Sequence, residues 1–349
     1  MYHFPSQPRP IVFMYDAFLL VSFGGPEGPD DVIPFLENVL RGKNVPRERM
    51  LAVAEHYQHF GGVSPINEQN RQLLAAIEAE LKRSGIQLPV YWGNRNWHPL
   101  LPDTLAKMKA DGVRRAIAFF TSSFSSYSGC RQYRENIAAA QQVVGEGAPQ
   151  IDKLRVFFNH PGFIEPMIER TQTALKQLPA ERRDQAALLF SAHSIPLSMA
   201  GNCSYETQLR EAARLIAEGA GHPQHQLVYQ SRSGPPTQPW LEPDVGDVVR
   251  ELAAAGATKD VVVVPVGFIS DHMEVLYDLD HEAHDVAGEL GLNLVRAGTV
   301  GTHPRFVTMI RELVEERISG GERLALGTLG PSHDVCPVDC CKYEPRRPG

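Results

Sequence analysis

The sequence predicts an α/β protein built around parallel sheets. Short apolar runs, rich in β-branched and aromatic residues, alternate with amphipathic segments of helical length along most of the 349 residues. This alternation is typical of βαβ units, in which each helix returns the chain to the same edge of a sheet. With 43% apolar residues, the chain can bury the core of one large or two ordinary domains.

Eight apolar runs are predicted to be strands, which is enough for two four-stranded sheets. The predicted strands are 17–23, 89–92, 115–121, 154–159, 186–192, 226–230, 260–266 and 293–296. Helical patterns lie between them, including 67–83, 131–144, 164–177, 205–218, 245–254, 272–290 and 304–317. A polar stretch, LPAERRDQ at 178–185, separates the first four strands from the last four, and we place the domain boundary near it.

Composition narrows the classes of function. Acidic residues outnumber basic ones by 41 to 34, which argues against nucleic-acid binding, because that function needs a concentrated Lys/Arg field. The longest uncharged apolar runs, such as 261–269, are far below the roughly 20 residues of a membrane helix. The N-terminal apolar patch is too short for a signal peptide, so we expect a cytoplasmic protein acting on a small molecule.

His193 directly follows a predicted strand, in the run ALLFSAHSIP. Residues at the carboxyl ends of parallel strands face the ligand site of open α/β sheets. His193 could therefore accept protons or ligate a metal in a pocket. A histidine whose nitrogens only bond loop carbonyls would fit this run equally well.

Three carboxylates recur at every fourth position after the strand VVVVPV, namely Glu274, Asp278 and Glu282. Residues spaced in this way share one helix face, with a drift that a locally widened π-type turn would remove. The repulsion between them is a cost unless a cation binds or passes there. Histidines 272, 281 and 284 add further ligands. A solvated acidic face is the alternative, but the neighbouring strand end favours function.

Two glycine-containing turns resemble ligand-binding loops. One is FGGPEGP after the first strand, and the other is HFGGVSP, which ends in the hydroxyl of Ser64 just before a helix. Glycine lets a ligand approach the backbone closely, and a hydroxyl with backbone N–H groups can hold a carboxylate. Neither turn is a GxGxxG motif, and both could be ordinary strand-to-helix turns.

The cysteines suggest a metal centre rather than disulfides. Cys336, Cys340 and Cys341 crowd the tail CPVDCC, and a four-thiolate site needs one more donor. We expect Cys130 in SSYSGCRQYREN to supply it, because Cys203 follows the His193 loop and should lie at the pocket. Zinc and an iron–sulfur cluster both suit four thiolates, and unligated surface thiols are the alternative.

Four segments together resemble the ferrochelatase family over essentially the whole chain. They are LLVSFGGPEGPDDVIPFL, HYQHFGGVSPIN, SAHSIP and GFISDHMEVLYDLDHE. The tail CPVDCC with SGCRQYRE resembles the actinobacterial branch of that family, which carries a [2Fe-2S] cluster and acts on coproporphyrin III. The resemblance implies two Rossmann-like domains of the chelatase fold, 1–180 joined by 300–349 and 181–299, with a porphyrin cleft between them.

The resemblance also implies an enzyme, a lyase of heme biosynthesis that inserts Fe²⁺ into coproporphyrin III to form coproheme. In this reading His193 is the catalytic histidine and Glu274 faces it, both touching the incoming Fe²⁺, while Asp278 and Glu282 form an acidic track. The residues implied to hold propionates are Ser64, Tyr133, Tyr127, Arg41 and Lys43. Cys130, Cys336, Cys340 and Cys341 are implied to hold the [2Fe-2S] cluster.

Two positions depart from the family pattern. Phe23 stands where many relatives have a tyrosine that can approach the metal, so no axial ligand is expected there. His56 stands where some relatives have an arginine. We expect a monomer in transient contact with a downstream heme-pathway enzyme, and no nucleic-acid partner. A protoporphyrin IX ferrochelatase, a cobalt or nickel chelatase of another tetrapyrrole, and a non-catalytic heme carrier are the alternatives.

Overall fold

The computed structural model describes residues 15–43, 45–234 and 237–343, and it confirms the predicted fold class. Its strands are β1 (Ala17–Ser22), β2 (Val90–Asn94), β3 (Arg115–Phe120), β4 (Gln150–Lys153), β5 (Ala187–His193), β6 (Gln226–Gln230), β7 (Asp260–Val264) and β8 (Asn293–Arg296). Its α-helices are α1 (Val32–Val39), α2 (Arg47–His59), α3 (Ile66–Arg83), α4 (Leu101–Ala110), α5 (Gln132–Val144), α6 (Pro161–Leu175), α7 (Leu197–Ala200), α8 (Tyr205–Gly219), α9 (Val245–Ala255), α10 (Met273–Val275), α11 (His284–Glu289) and α12 (Pro304–Ser319). Two segments are π-helical, Tyr127–Arg131 and Leu276–Ala283.

The strands form two parallel sheets with matching topology. Their orders are β2-β1-β3-β4 and β6-β5-β7-β8. In each sheet the first strand has the second on one side and the third on the other, so the direction of the connections reverses beside β1 and beside β5. Ligand sites of open α/β sheets lie outside the carboxyl ends of the strands at such a reversal. The topology therefore predicts that residues following β1 and β5 line a ligand site.

Seven predicted strands are confirmed, with ends shifted by two residues or fewer, and the predicted strand 154–159 is wrong. The fourth strand is β4, which pairs with β3 and ends at Lys153. The N–H of Leu154 still donates to the Ala118 carbonyl at 2.8 Å, after which the chain leaves the sheet. Phe157 and Phe158 are buried in the core from an irregular segment. Their apolar character reflects that burial rather than β-pairing.

The helices follow from amphipathic spacing. In α3, Leu73, Ile77 and Leu81 recur at every fourth position and are buried, while most charged residues of the helix are exposed. The predicted helix 272–290 is one continuous helical run that begins at Met273 and contains the π-helical segment. Within the described ranges, no helix is both long and apolar enough to cross a membrane.

One large apolar core connects the two sheets. It contains residues of β1 and β3 together with residues of β5 and β7. Aromatic rings fill the space between the sheets, with the centroids of Phe119 and Phe157 at 5.1 Å and those of Phe157 and Phe306 at 5.7 Å. Phe306 belongs to α12, which also packs on α3 and α6. The division into residues 1–180 with 300–349 and residues 181–299 stays a prediction.

A buried ion pair ties the end of α12 to the segment after β4. Arg155 is 2% exposed and Glu316 is 8% exposed. The Arg155 Nε donates to Glu316 Oε1 at 2.9 Å and its Nη2 to Oε2 at 3.1 Å. The same Nη2 donates to the Leu324 carbonyl at 2.8 Å, which fixes the start of the C-terminal tail. Removal of Glu316 would leave the buried Arg155 charge without a carboxylate partner.

We predict that Glu316→Ala lowers the free energy of unfolding by about 3–5 kcal/mol, because Arg155 then stays buried and unpaired. Urea denaturation followed by circular dichroism measures the change. The matched control is Glu322→Ala on the exposed loop that follows α12, which should stay within about 0.5 kcal/mol of the parent protein. Equal effects of the two substitutions would contradict the prediction.

Candidate active site

His193 and Glu274 face each other at the carboxyl edge of the second sheet. His193 is the last residue of β5, and Glu274 lies in α10, just after the loop that leaves β7. His193 Nε2 lies 3.7 Å from Glu274 Oε2. The His193 side chain is 33% exposed and that of Glu274 is 48% exposed, so both can be reached from outside.

Hydrogen bonds fix the orientation of the imidazole. His193 Nδ1 lies 2.5 Å from the carbonyl oxygen of Ser194. Because a carbonyl only accepts, Nδ1 carries the proton, and in the neutral ring the free lone pair is on Nε2. The Tyr205 hydroxyl donates to the His193 carbonyl at 3.0 Å and fixes the end of the strand. The basic nitrogen therefore faces the Glu274 carboxylate.

Asp278 lies behind Glu274 in a pocket of hydrogen-bond donors. Gln230 Nε2 donates to Asp278 Oδ2 at 3.2 Å and to the Glu274 carbonyl at 3.1 Å. The Ser231 hydroxyl donates to the same carboxylate oxygen. Burial raises the pKa of Asp278 to about 7, the Ser231 bond opposes the shift, and the charges of Glu274 and Glu282 add to it. Asp278 is therefore able to exchange protons near neutral pH.

The π-helical segment Leu276–Ala283 supports the predicted file of carboxylates. Its i→i+5 bonds widen the turn, which brings residues four apart closer to a single face. The charges of Asp278 and Glu282 both act on the neighbouring Tyr277 and raise its pKa, after burial as the main cause. The file thus leads from His193 outward along the helix.

Imidazole rings from α2 cover the outer end of this file. His56 stacks on Tyr277 with ring centroids 3.7 Å apart and planes 7° apart. His59 stacks on His281 at 4.8 Å, and His281 Nδ1 lies 2.9 Å from Asp285. Burial lowers the pKa of His56, and Glu282 partly opposes the shift. Helix α2 of the first half of the chain thus contacts the π-helical segment of the second half.

Arg95, which directly follows β2, was not predicted from the sequence. Its guanidinium lies 4.5 Å from the Tyr133 ring centroid and 5.5 Å from that of Phe23. It donates to Asn136 Oδ1 at 2.7 Å and to the Ser128 carbonyl at 3.3 Å. Among the described residues, no carboxylate lies within ion-pair distance of it. Its place at the end of a strand was the one signal in the sequence.

Lys43 lies within electrostatic reach of both Arg95 and Glu274. Burial of its ammonium lowers the pKa of Lys43, Arg95 lowers it further, and Glu274 opposes the shift. Two cations and one carboxylate therefore lie close enough to affect one another. The cations would attract an anionic ligand, and the carboxylate would attract a metal cation.

The other predicted propionate-binding residues occupy different environments. Tyr133 is 4% exposed and stacks on Phe120, so its ring belongs to the core beneath Arg95. The Tyr127 hydroxyl donates to Glu135 Oε2 at 3.1 Å. Arg41 is exposed just past the end of α1.

Ser64 is 4% exposed and lies in the turn before α3. Gly25 fits against it closely, because a Cβ on Gly25 would lie 2.8 Å from the Ser64 Cβ. Phe23 packs edge-on against Phe35 with centroids 6.2 Å apart. A phenyl ring has no ligand atom, so Phe23 offers none to a metal.

Four cysteines gather at the carboxyl edge of the first sheet. Cys130 Sγ lies 3.9 Å from Cys336 Sγ, and Cys340 Sγ lies 3.5 Å from Cys341 Sγ. The tail is held there by Arg131, which donates to the carbonyls of Val338 at 2.9 Å and Cys340 at 3.2 Å.

Cys203 lies near the tail thiols rather than only at the pocket. Burial and Cys340 raise the pKa of Cys341, and Cys203 raises it further. Burial also raises the pKa of Cys203, and Cys340 adds to that shift. The Cys203 thiol donates to the carbonyls of Met199 at 3.4 Å and Ala200 at 3.5 Å. Its sulfur is therefore already used within its own turn.

Two solved chelatase structures are similar in fold to this chain. SirB from Bacillus subtilis with Fe³⁺ is similar at a TM-score of 0.53 and 14% identity, over 88% of this chain and 97% of that one. SirB from Bacillus subtilis subspecies spizizenii with cobalt is similar at a TM-score of 0.51 and 12% identity, with the same coverage. At these identities the likeness shows the fold alone, and that fold is the chelatase fold.

Sequence comparison gives the family. The Ferrochelatase family model matches residues 15–318, and the chain belongs to the ferrochelatase family of metal chelatases. A ferrochelatase of Rhodopirellula baltica is 62% identical, over 96% of this chain and 95% of that protein. Coproporphyrin III ferrochelatases of Frankia alni and Streptomyces coelicolor are 57% and 55% identical, over 96% of this chain and 88% and 95% of those proteins.

We predict that Asp278→Asn removes a transition near pH 7 from the pH profile of metal insertion. Asp278 accepts a proton only in its ionised form, which predominates above its pKa of about 7, and asparagine has no such form. Steady-state rates between pH 5.5 and 8.5 measure the profile.

The pH dependence of the stability of Asp278→Asn gives an independent check. A raised pKa means that wild-type stability falls as pH rises from about 4 to 7, so Asp278→Asn should gain stability relative to wild type over this range. Unchanged profiles in both measurements would contradict the assignment.

Proposed function

We propose that this ferrochelatase inserts Fe²⁺ into coproporphyrin III to form coproheme in heme biosynthesis. The observation that carries the proposal is the His193 Nε2 lone pair facing the Glu274 carboxylate at 3.7 Å, with both side chains partly exposed. The relatives in Streptomyces coelicolor and Frankia alni, named for coproporphyrin III, support this choice of porphyrin. The reaction replaces the two pyrrole N–H protons by one Fe²⁺, so the site must accept two protons and admit one dication.

His193 is proposed to take a pyrrole proton at Nε2. The bond from Nδ1–H to the Ser194 carbonyl keeps the ring in the required tautomer. The imidazole becomes positively charged when the proton arrives. The Glu274 carboxylate, 3.7 Å away, then stabilises the imidazolium by its negative charge. Before proton transfer, Glu274 Oε2 and the Nε2 lone pair together offer two ligand atoms to the incoming Fe²⁺.

Asp278 and Glu282 are proposed to relay protons outward and Fe²⁺ inward. Asp278, with a pKa of about 7, exchanges protons at low cost under neutral conditions. Gln230 and Ser231 hold its carboxylate in place, so the relay keeps a fixed geometry. Three carboxylates along one helical segment repel one another, and passage of a dication would relieve that repulsion.

Arg95 and Lys43 are proposed to bind the propionates at the opposite side of the cleft. Coproporphyrin III carries four propionate groups, so the substrate suits a cleft wall with unpaired cations. Arg95 bonds only neutral acceptors and aromatic faces among the described residues, which leaves its charge available to a carboxylate. Ser64, Tyr127, Tyr133 and Arg41 are proposed to complete this wall, with Tyr133 acting by supporting Arg95 from the core. Phe23 supplies no axial ligand.

The four gathered cysteines are proposed to hold a [2Fe-2S] cluster. Two thiolates on one tetrahedral metal with bonds of about 2.3 Å lie about 3.8 Å apart. The pairs Cys130–Cys336 at 3.9 Å and Cys340–Cys341 at 3.5 Å match this spacing. Two such pairs fit a two-iron cluster, which takes four cysteine ligands. The bound cluster would cross-link the C-terminal tail to the turn that contains Cys130, a structural role away from His193.

Competition among three tetrapyrroles tests the proposed substrate. Purified protein receives Fe²⁺ under anaerobic conditions with an equimolar mixture of coproporphyrin III, protoporphyrin IX and sirohydrochlorin, and the metallated products are separated by chromatography. Coproheme should dominate. Preferential metallation of protoporphyrin IX or of sirohydrochlorin would overturn the substrate assignment, and binding without any insertion of Fe²⁺ or Zn²⁺ would identify a carrier.

We predict that His193→Ala lowers the rate of Fe²⁺ insertion by about 100-fold or more, as expected for loss of a general base, while the porphyrin still binds. Stopped-flow absorbance follows insertion, and fluorescence quenching follows binding. Glu274→Gln serves as the comparison. It keeps the size of the side chain but cannot balance the charge of the imidazolium, so its insertion rate should fall by less than that of His193→Ala. Retained insertion in His193→Ala would refute the role of this residue.

We predict that Cys336→Ser abolishes the visible absorption of the cluster and lowers thermal stability, because the tail loses its cross-link to Cys130. Absorption spectra and iron and sulfide analysis of anaerobically purified protein provide the measurement. Cys203→Ser is the matched control and should keep the cluster, since the Cys203 thiol bonds its own turn. An unchanged cluster in Cys336→Ser would show that the ligand set is wrong.

A further inference from the structure

A fifth candidate donor, His333, lies beside the gathered cysteines. Its Nε2 lies 3.8 Å from the Cys340 Sγ. The ligand atoms of His333, Cys336 and Cys340 all lie within 4.8 Å of one another. His333 is exposed, in the irregular segment between α12 and the CPVDCC motif. No role was predicted for His333 from the sequence, because a single histidine outside a regular element carries no spacing signal.

The exposure of the four thiols shows which side of the site His333 covers. Each sulfur pair has one buried and one partly exposed member. Cys130 and Cys341 are buried, whereas Cys336 and Cys340 are partly exposed. His333 contacts the partly exposed member of both pairs, so it lies over the solvent side of the four thiols rather than within one pair.

We propose that His333 is a positioning residue that donates a hydrogen bond from its Nε2–H to the cluster thiolates of Cys340 and Cys336; the inference rests on the proposed [2Fe-2S] cluster. Four cysteines already supply the four ligand positions of such a cluster, which leaves the imidazole as a neighbour rather than a ligand. A thiolate sulfur is an anion, and a neutral imidazole N–H is a suitable donor to it.

The surroundings of the thiols support this role. The cationic side chains of Lys153 and Arg134 act on Cys336, and Arg134 also acts on Cys340. Their fixed charges already favour thiolates at this place. His333 adds the directed bond on the one side that solvent can reach. Hydrogen bonds to the sulfurs and exclusion of solvent are two of the factors that set the potential of an iron–sulfur cluster.

Loss of the His333 bond has a defined consequence. A hydrogen bond to a ligating sulfur withdraws negative charge and so stabilises the reduced, more negative cluster. Without the bond, the midpoint potential should move to a more negative value. The opened solvent side should also let oxygen degrade the cluster faster.

Anaerobically purified His333→Ala, His333→Gln and wild-type protein test the inference. For His333→Ala we expect iron and sulfide content equal to wild type, a more negative midpoint potential in dye-mediated titration, and several-fold faster bleaching in air. His333→Gln, which keeps an N–H donor, should recover much of the shift. His98→Ala, which removes an exposed histidine of the loop after β2, is the control and should match wild type.

Three results would overturn the inference. An unchanged potential and bleaching rate in His333→Ala would show that the bond is not made. A strongly coupled histidine nitrogen in the pulsed electron paramagnetic resonance spectrum of reduced wild type, lost in His333→Ala, would make His333 a ligand instead. Wild-type protein without iron and sulfide would refute the cluster proposal itself. The first two results can be interpreted only if the wild-type protein contains both iron and sulfide.

Discussion

The short contact between His193 Nδ1 and the Ser194 carbonyl is the constraint on which the site depends. It decides the tautomer, and the tautomer decides that the basic nitrogen faces Glu274 and the open cleft. β5 makes the contact possible, because His193 is its last residue and its carbonyl is held by the Tyr205 hydroxyl. A histidine one residue earlier or later would point to the opposite face of the strand. The parallel sheet thus acts as the positioning device for the proton acceptor.

Side chains of opposite charge are contributed by the two halves of the chain. The carboxylates of Glu274, Asp278 and Glu282 follow β7 of the second sheet, along a helical segment widened by π-type bonds. The first sheet carries the cations, with Arg95 after β2 and Lys43 after α1. Such a separation would orient a tetracarboxylate macrocycle so that its nitrogens meet the imidazole while Fe²⁺ arrives along the acidic file. A core shared by both sheets connects these two groups of side chains.

The fold class, seven strands and the carboxylate file could be predicted because each rests on local patterns, namely apolar runs and a four-residue spacing. The strand 154–159 could not, since apolar residues packed from an irregular segment look like a strand when read along the chain. Arg95 and His333 were missed because the roles proposed for them depend on neighbours that are distant in the sequence. The place of Tyr133 in the core beneath Arg95 could not be predicted either, and its contact with the substrate stays a prediction.

The tautomer of His193 tests the central claim most directly. Protein labelled with ¹⁵N at histidine, compared with His193→Gln to assign the signal, reports which ring nitrogen carries the proton when the imidazole is neutral. We predict a proton on Nδ1 and a bare Nε2, both in the free enzyme and with coproporphyrin III bound in the absence of metal. A proton on Nε2 of the neutral ring would contradict the account, because that nitrogen could then accept nothing from a pyrrole.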